Sequence, residues 1–134
     1  MIVADTNLIS YLLIEGEKTE AARSVWVRDS EWAMPPLWRA EFLNVLVVAN
    51  RAGALDEGQA LLLWRRSHVF LNAVELEPDG ERVLQIAMTN GISAYDAQFV
   101  AVASELGVPL VTADKRVLSN CPDISTSIET FAQD

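Results

Sequence analysis

The chain holds one cysteine, Cys121, and one histidine, His68, in 134 residues. A single cysteine excludes an internal disulfide framework and a Cys-rich zinc site. A single histidine excludes a His-rich metal centre. Basic residues are scarce too: 10 Lys and Arg stand against 19 Asp and Glu, for a net charge of −9. That balance argues against a module gripping nucleic acid through a broad basic face, since such a grip needs many Lys/Arg–phosphate contacts. It leaves open an enzyme whose bound metal ion meets the phosphate. Long apolar runs are also missing. Leu8 to Ile14 and Phe42 to Ala49 are too short to span a bilayer and contain Ser10 and Asn44. The opening Met-Ile-Val-Ala-Asp lacks the basic n-region of a secretory signal. A cytoplasmic protein without membrane association is expected, with any metal chemistry resting on oxygen ligands.

What is present is enough apolar material for a core. Hydrophobic residues make up 51% and charged residues 22%, which suits one domain over residues 1–134. No repeat, linker or low-complexity tract interrupts it. Extended and helical signals alternate. Extended runs are expected at Ile2–Ala4, Glu31–Met34, Ala73–Leu76, Val108–Thr112 and Ile124–Thr126. Helices are expected from Thr6 to Ile14, Lys18 to Ser30, Leu37 to Ala52 and Asp56 to Phe70, then from Pro78 to Asn90 and Ser93 to Leu106. A short helix at Lys115–Ser119 and a terminal helical turn follow. Gly53, Gly91 and Gly107 stand at helix ends. Strands separated by helices imply parallel pairing with right-handed crossovers. The fold class is therefore α/β: a three-layer α/β/α sandwich of four or five strands with helices on both faces.

In an open parallel sheet, ligands bind outside the carboxyl ends of the strands. Asp5 follows the first strand directly and Asp114 follows the fourth by two residues. The plain reading of each is a helix N-cap. Ser93-Ala-Tyr-Asp96 has capping-box spacing, in which the acid reaches back to the cap backbone. Yet Asp96 also heads a stripe otherwise apolar, with Phe99, Val100 and Ala103. Glu41 lies in a stripe read as Leu37, Glu41, Val45, Val48 and Ala52, and a glutamate on such a face needs a partner. Arg39, two positions away, points elsewhere on the helix. If the four acids share a pocket, each pair about 5 Å apart repels by roughly 3 kcal/mol at an effective dielectric near 20. Such a site either protonates or holds cations. Carboxylate-only ligation suits Mg²⁺ or Mn²⁺, and the chemistry associated with it is phosphoryl transfer.

Asp5-Thr6-Asn7 after a strand, Glu41 in a helix, Ser93-Ala-Tyr-Asp96-Ala at a helix start and Leu110-Val-Thr-Ala-Asp114 after a strand resemble the PIN-domain nucleases. The likeness is to the VapC-like toxins of toxin–antitoxin pairs and spans essentially the whole chain. It implies a parallel sheet of order 3-2-1-4-5 and a Mg²⁺- or Mn²⁺-dependent endoribonuclease. The RNA it cuts is single-stranded or looped, and the ends left are a 3′-hydroxyl and a 5′-phosphate. It implies a homodimer silenced by a cognate antitoxin that inserts a segment near the pocket. By motif position Asp5, Glu41, Asp96 and Asp114 form the catalytic, metal-holding set. Asn7 and Thr112 would orient ligands or the attacking water. Where some relatives carry a further acid, this chain has Lys115 and Arg116. These two and Arg39, the basic residues nearest the acids, are candidate phosphate contacts; their plain reading is solvated surface charge.

Other features read as structural. Trp26, Trp32, Trp38 and Trp64 suit core or interface packing better than base stacking. His68 reads as a packing residue, Cys121 as a small buried apolar group, and Glu75 to Glu81 as a solvated acidic stretch. The segment from Leu8 to Ile14 exceeds one helix face and suggests a dimer or partner surface. Three rivals remain. A phosphoacceptor receiver domain needs an acidic pair after the first strand, and Asp5 has no acidic neighbour. A haloacid-dehalogenase-type phosphatase needs Asp-x-Asp there, and Asn7 takes the second position. A non-catalytic RNA- or protein-binding module of the same fold would use the acids only as caps.

Overall fold

In the computed structural model, which describes residues 1–133, the first strand is the centre of the sheet. β1 (Ile2–Ala4) pairs in parallel with β2 (Trp32–Met34) on one side and with β4 (Leu110–Thr112) on the other. β3 (Val74–Glu75) extends the sheet beyond β2 and β5 (Ser125–Ser127) beyond β4. The order is β3-β2-β1-β4-β5, all parallel. Central strands are buried along their whole length and read as continuous apolar runs, as strands covered on both faces must.

β1 has the expected bounds, whereas β2, β3 and β4 are shorter than the apolar runs suggest. Pro109 has no N–H to give a ladder, although its carbonyl accepts from the Val3 N–H at 2.9 Å. Val108 and Pro109 therefore lead into β4 without joining it.

Helices α1 (Thr6–Leu13), α2 (Thr19–Arg28), α3 (Leu37–Arg51), α4 (Glu57–Leu71), α5 (Gly80–Asn90), α6 (Ala94–Leu106), α7 (Lys115–Asn120) and α8 (Ile128–Gln133) fill the connections. Together with the sheet they make a three-layer α/β/α architecture. α5 and α6 end on Gly91 and Gly107, whose φ values of 65° and 67° suit glycine and close the last turn. α4 opens with a complete capping box, Asp56 with Gln59.

Two expectations are corrected here. The buried stripe of α3 is Trp38, Phe42 and Leu46, one position on from the stripe read in the sequence, and Val48 is exposed. Glu41 thus flanks the core stripe instead of lying within it. The Leu8–Ile14 segment is not simply a partner surface: Leu8 and Ile9 are fully buried. α1 packs on α2, α3 and β4, so more than one of its faces must be apolar. Only its far end, with Leu12 and Leu13, reaches an apolar groove shared with Trp26, Leu63 and Phe70.

The aromatic residues build the core, as expected. Trp32, Trp38, Phe42 and Phe99 are among the largest fully buried side chains. Trp26 stacks on Phe70 with centroids 4.7 Å apart. His68 meets Trp64 edge-on at 4.3 Å and also faces Trp38, so it is a packing residue.

Candidate active site

β1 and β4 are neighbours, so the residues that leave their carboxyl ends emerge side by side. β1 ends on Ala4 and delivers Asp5; β4 ends on Thr112 and delivers Asp114. The second turn of α3 and the first turn of α6 bring Glu41 and Asp96 to the same place. All four acids line one cleft of about 560 Å³. Asp5 is buried, and Glu41, Asp96 and Asp114 are partly buried.

Asp5 is held at both oxygens. Its Oδ1 accepts from the Thr6 N–H at 2.8 Å, and its Oδ2 accepts from the Thr112 hydroxyl at 2.6 Å. Thr112 is fully buried, and its oxygen in turn accepts from Asn7 Nδ2 at 3.3 Å and from the Asp114 N–H at 3.0 Å. Asn7 completes the brace by accepting from the Ala113 N–H at 3.1 Å. One hydroxyl therefore ties the exits of both strands together. The Thr6 hydroxyl donates to Glu41 Oε1 at 2.7 Å, which gives the glutamate its polar partner without an arginine.

The capping readings hold in part. Asp114 Oδ1 accepts from the N–H groups of Arg116 and Val117 at 2.9 and 3.0 Å, so one oxygen caps α7. Ser93 caps α6 by accepting from the Asp96 N–H at 3.0 Å. The returning half of the box is not formed: the Asp96 carboxylate does not bond the Ser93 backbone and lies in the cleft lining instead.

Electrostatics link the four acids in a chain. Burial, opposed by the Thr112 and Thr6 hydrogen bonds, raises the Asp5 pKa from 3.8 to about 6, with added repulsion from Asp96 and Glu41. Burial also raises Glu41, and Asp96 adds to it against the Thr6 bond. Asp96 is raised by burial and then by Asp114, while Ser93 and Arg116 pull the other way. No salt bridge within the described residues relieves any of the four.

The candidate basic residues part company. Arg39 is not brought to the cleft; its Nε donates to Glu75 Oε1 at 2.9 Å on β3. Glu75 is accordingly paired, not freely solvated. Lys115 and Arg116 are exposed on the first turn of α7, and the Arg116 charge reaches Asp96. Thr6, Asn44 and Tyr95 line the cleft as well and were not singled out by sequence. Thr6 sits inside Asp5-Thr6-Asn7 and could have been found there. Asn44 lies one turn after Glu41, where its polarity reads only as a break in an apolar run.

The donors available to a ligand are all oxygens or neutral amides. Among the described residues no three acidic, histidine or cysteine groups stand close enough to enclose an ion unaided. The all-oxygen chemistry of the lining suits a small divalent cation that keeps several waters and takes one or two carboxylates, as Mg²⁺ does. It does not fit an all-protein cage of the kind built for zinc.

The sequence model of the PIN domain family matches residues 2–122. Ribonuclease VapC9 of Mycobacterium tuberculosis is 40% identical over 123 residues, covering 87% of this chain and 88% of that protein. Ribonuclease VapC3 of Pyrobaculum aerophilum is 27% identical over 128 residues, covering 93% and 98%. The crystal structure of PAE2754 from Pyrobaculum aerophilum superposes with a TM-score of 0.77 at 24% identity, covering 98% of this chain and 86% of that one. At that identity the likeness is one of fold.

Proposed function

The chain belongs to the PIN domain family, and from that premise we propose that it is a VapC-type toxin, an endoribonuclease that depends on Mg²⁺ or Mn²⁺. One observation carries the reading: four carboxylates from four separate elements line one cleft, and none of them is in a salt bridge among the described residues. Asp5, Asp96 and Asp114 would hold the ion directly or through its waters. When bound, the ion polarises the phosphate and lowers the pKa of the attacking water.

The chain's own groups supply position and proton transfer. Thr112 and Thr6 fix both oxygens of Asp5, so the acid at the deepest point cannot swing away. Asn7 and Thr112 hold Asp114 in register with Asp5. Glu41 is oriented by Thr6, and burial raises its pKa, which suits it to accept a proton from the attacking water. His68 is packed against tryptophans and takes no part. Arg116 and Lys115 flank Asp114 in sequence and would meet the substrate phosphate.

The rest of the proposal is an antitoxin partner, a homodimer and a cytoplasmic setting, with residues 1–134 forming a single PIN domain. No helix among the described residues is long and apolar enough to cross a membrane. A protein partner is supported by the apolar groove beside α2 and α4, where Val27 and Val69 are 85% and 82% exposed. The cap bonds of Asp114 favour the rival, a non-catalytic module. The two separate on end-labelled single-stranded RNA incubated with Mg²⁺, Mn²⁺ or EDTA. The toxin reading expects cleavage with either ion, 5′-phosphate and 3′-hydroxyl ends, and intact RNA in EDTA. RNA left whole in all three would establish the rival.

A further inference from the structure

The cleft lining contains four acids but neither lysine nor arginine, and the whole chain carries −9. The lining itself therefore adds no attraction to phosphates, the usual source of nucleic-acid affinity, and leaves that to a bound ion and to Lys115 and Arg116 outside it. Another part of the lining has a different chemistry. Leu37, Ala40 and Val45 of α3 form apolar wall, Asn44 adds an amide, and Tyr95 stands beside Asp96 on the first turn of α6.

Tyr95 is 64% exposed. The other aromatic residues are either buried in the core or packed against a ring or a cation. Trp32, Trp38, Phe42 and Phe99 are buried; Trp26, Trp64 and Phe70 lie against other rings; Lys18 covers Tyr11 and Arg28 covers Phe131. Phe70 is 46% exposed but stacks on Trp26 in the separate groove beside α2 and α4; Tyr95, the more exposed ring and paired with no other ring or cation among the described residues, stands at the lip of the acidic cleft.

We propose that Tyr95 is the base-stacking platform of this cleft, seating an unpaired nucleobase next to the scissile phosphate. The proposal rests on the ribonuclease reading and specifies how such a site holds its substrate. Stacking on an aromatic face needs no positive charge, so it supplies affinity where a cation-free lining cannot. Only a base outside a duplex can present its face, which restricts the site to single-stranded or looped RNA. The Asn44 amide, free of hydrogen-bond partners among the described residues, can donate to or accept from the edge of that base.

The test compares the parent protein with Tyr95→Ala and Tyr95→Phe on a single-stranded RNA whose cleavage position has been mapped. A second RNA replaces each base flanking that position in turn with an abasic residue. On intact RNA, Tyr95→Ala raises KM roughly 5- to 150-fold, the range of one base–aromatic stack, with kcat within about threefold of the parent. Tyr95→Phe keeps the parental KM, because the ring and not the hydroxyl makes the stack. On one of the abasic RNAs, parent and Tyr95→Ala share the same KM. An active parent with unchanged KM in Tyr95→Ala, or an equal loss on every abasic RNA, overturns this assignment alone. A parent that cuts no RNA with Mg²⁺ or Mn²⁺ overturns the ribonuclease reading and this assignment with it.

Discussion

Replacing Asp5 by asparagine should stabilise the metal-free protein at neutral pH. Asp5 is 7% exposed, and its pKa rises from 3.8 to about 6 on folding. Because the folded value lies above the unfolded one, the fold favours the protonated acid. That contribution is complete below pH 3.8 and lost as pH rises through about 6. The difference corresponds to about 3 kcal/mol withheld from the ionised protein at pH 7.5. Asparagine never ionises, so it recovers this amount. Its amide group, however, must face either the Thr6 N–H or the Thr112 hydroxyl, and one hydrogen bond of about 1 kcal/mol is lost. The net gain is about 2 kcal/mol. Urea unfolding in EDTA, followed by tryptophan fluorescence at pH 7.5 and pH 4, reads it directly. Asp5→Asn should unfold at higher urea than the parent at pH 7.5, and the advantage should vanish at pH 4. A variant destabilised equally at both pH values would show that Asp5 is an ordinary helix cap and would refute the burial-and-repulsion argument.

Two further substitutions probe neighbouring groups. Asp96→Asn should abolish RNA cleavage with an unchanged circular dichroism spectrum and no loss of melting temperature, because Ser93 caps α6 through the Asp96 backbone N–H and leaves the carboxylate for the cleft. Thr112→Val keeps the side-chain shape but strips the donor from a buried carboxylate and the acceptor from Asn7 and Asp114. It should cost about 2–3 kcal/mol at pH 8 in EDTA and less at pH 4, where Asp5 is protonated; urea titration checks the difference.

Much of the architecture was legible because local chemistry marks it. The apolar run Ile2–Ala4 ended by Asp5 reads as a buried strand meeting a helix, and Gly91 and Gly107 mark two helix ends that the structure confirms. The order of the strands came from family likeness, since periodicity does not say which strands pair. The stripe on α3 slipped by one position for a similar reason. Leu37, Glu41 and Val45 are as regular as Trp38, Phe42 and Leu46, and only the elements packed on the helix decide which set is buried. The four acids that line the cleft were picked out by motif position, and Asn7 and Thr112 beside them by family resemblance, but the bonds that join these groups were not legible. Thr6 meets Glu41 across 35 residues and Thr112 meets Asp5 across 107, separations that leave no local pattern. Asp96 shows the limit of a spacing rule: the sequence fits a capping box, but the carboxylate serves the cleft. Arg39, near Glu41 in sequence, instead pairs with Glu75 on an edge strand.

The most direct test is anomalous diffraction at the manganese edge from crystals soaked in Mn²⁺. The prediction is one strong peak within coordination distance, direct or through one water, of Asp5, Asp96 and Asp114. A peak only on surface acids such as Glu77 or Glu81, or no peak at saturating Mn²⁺, would contradict the claim that these carboxylates exist to hold a cation.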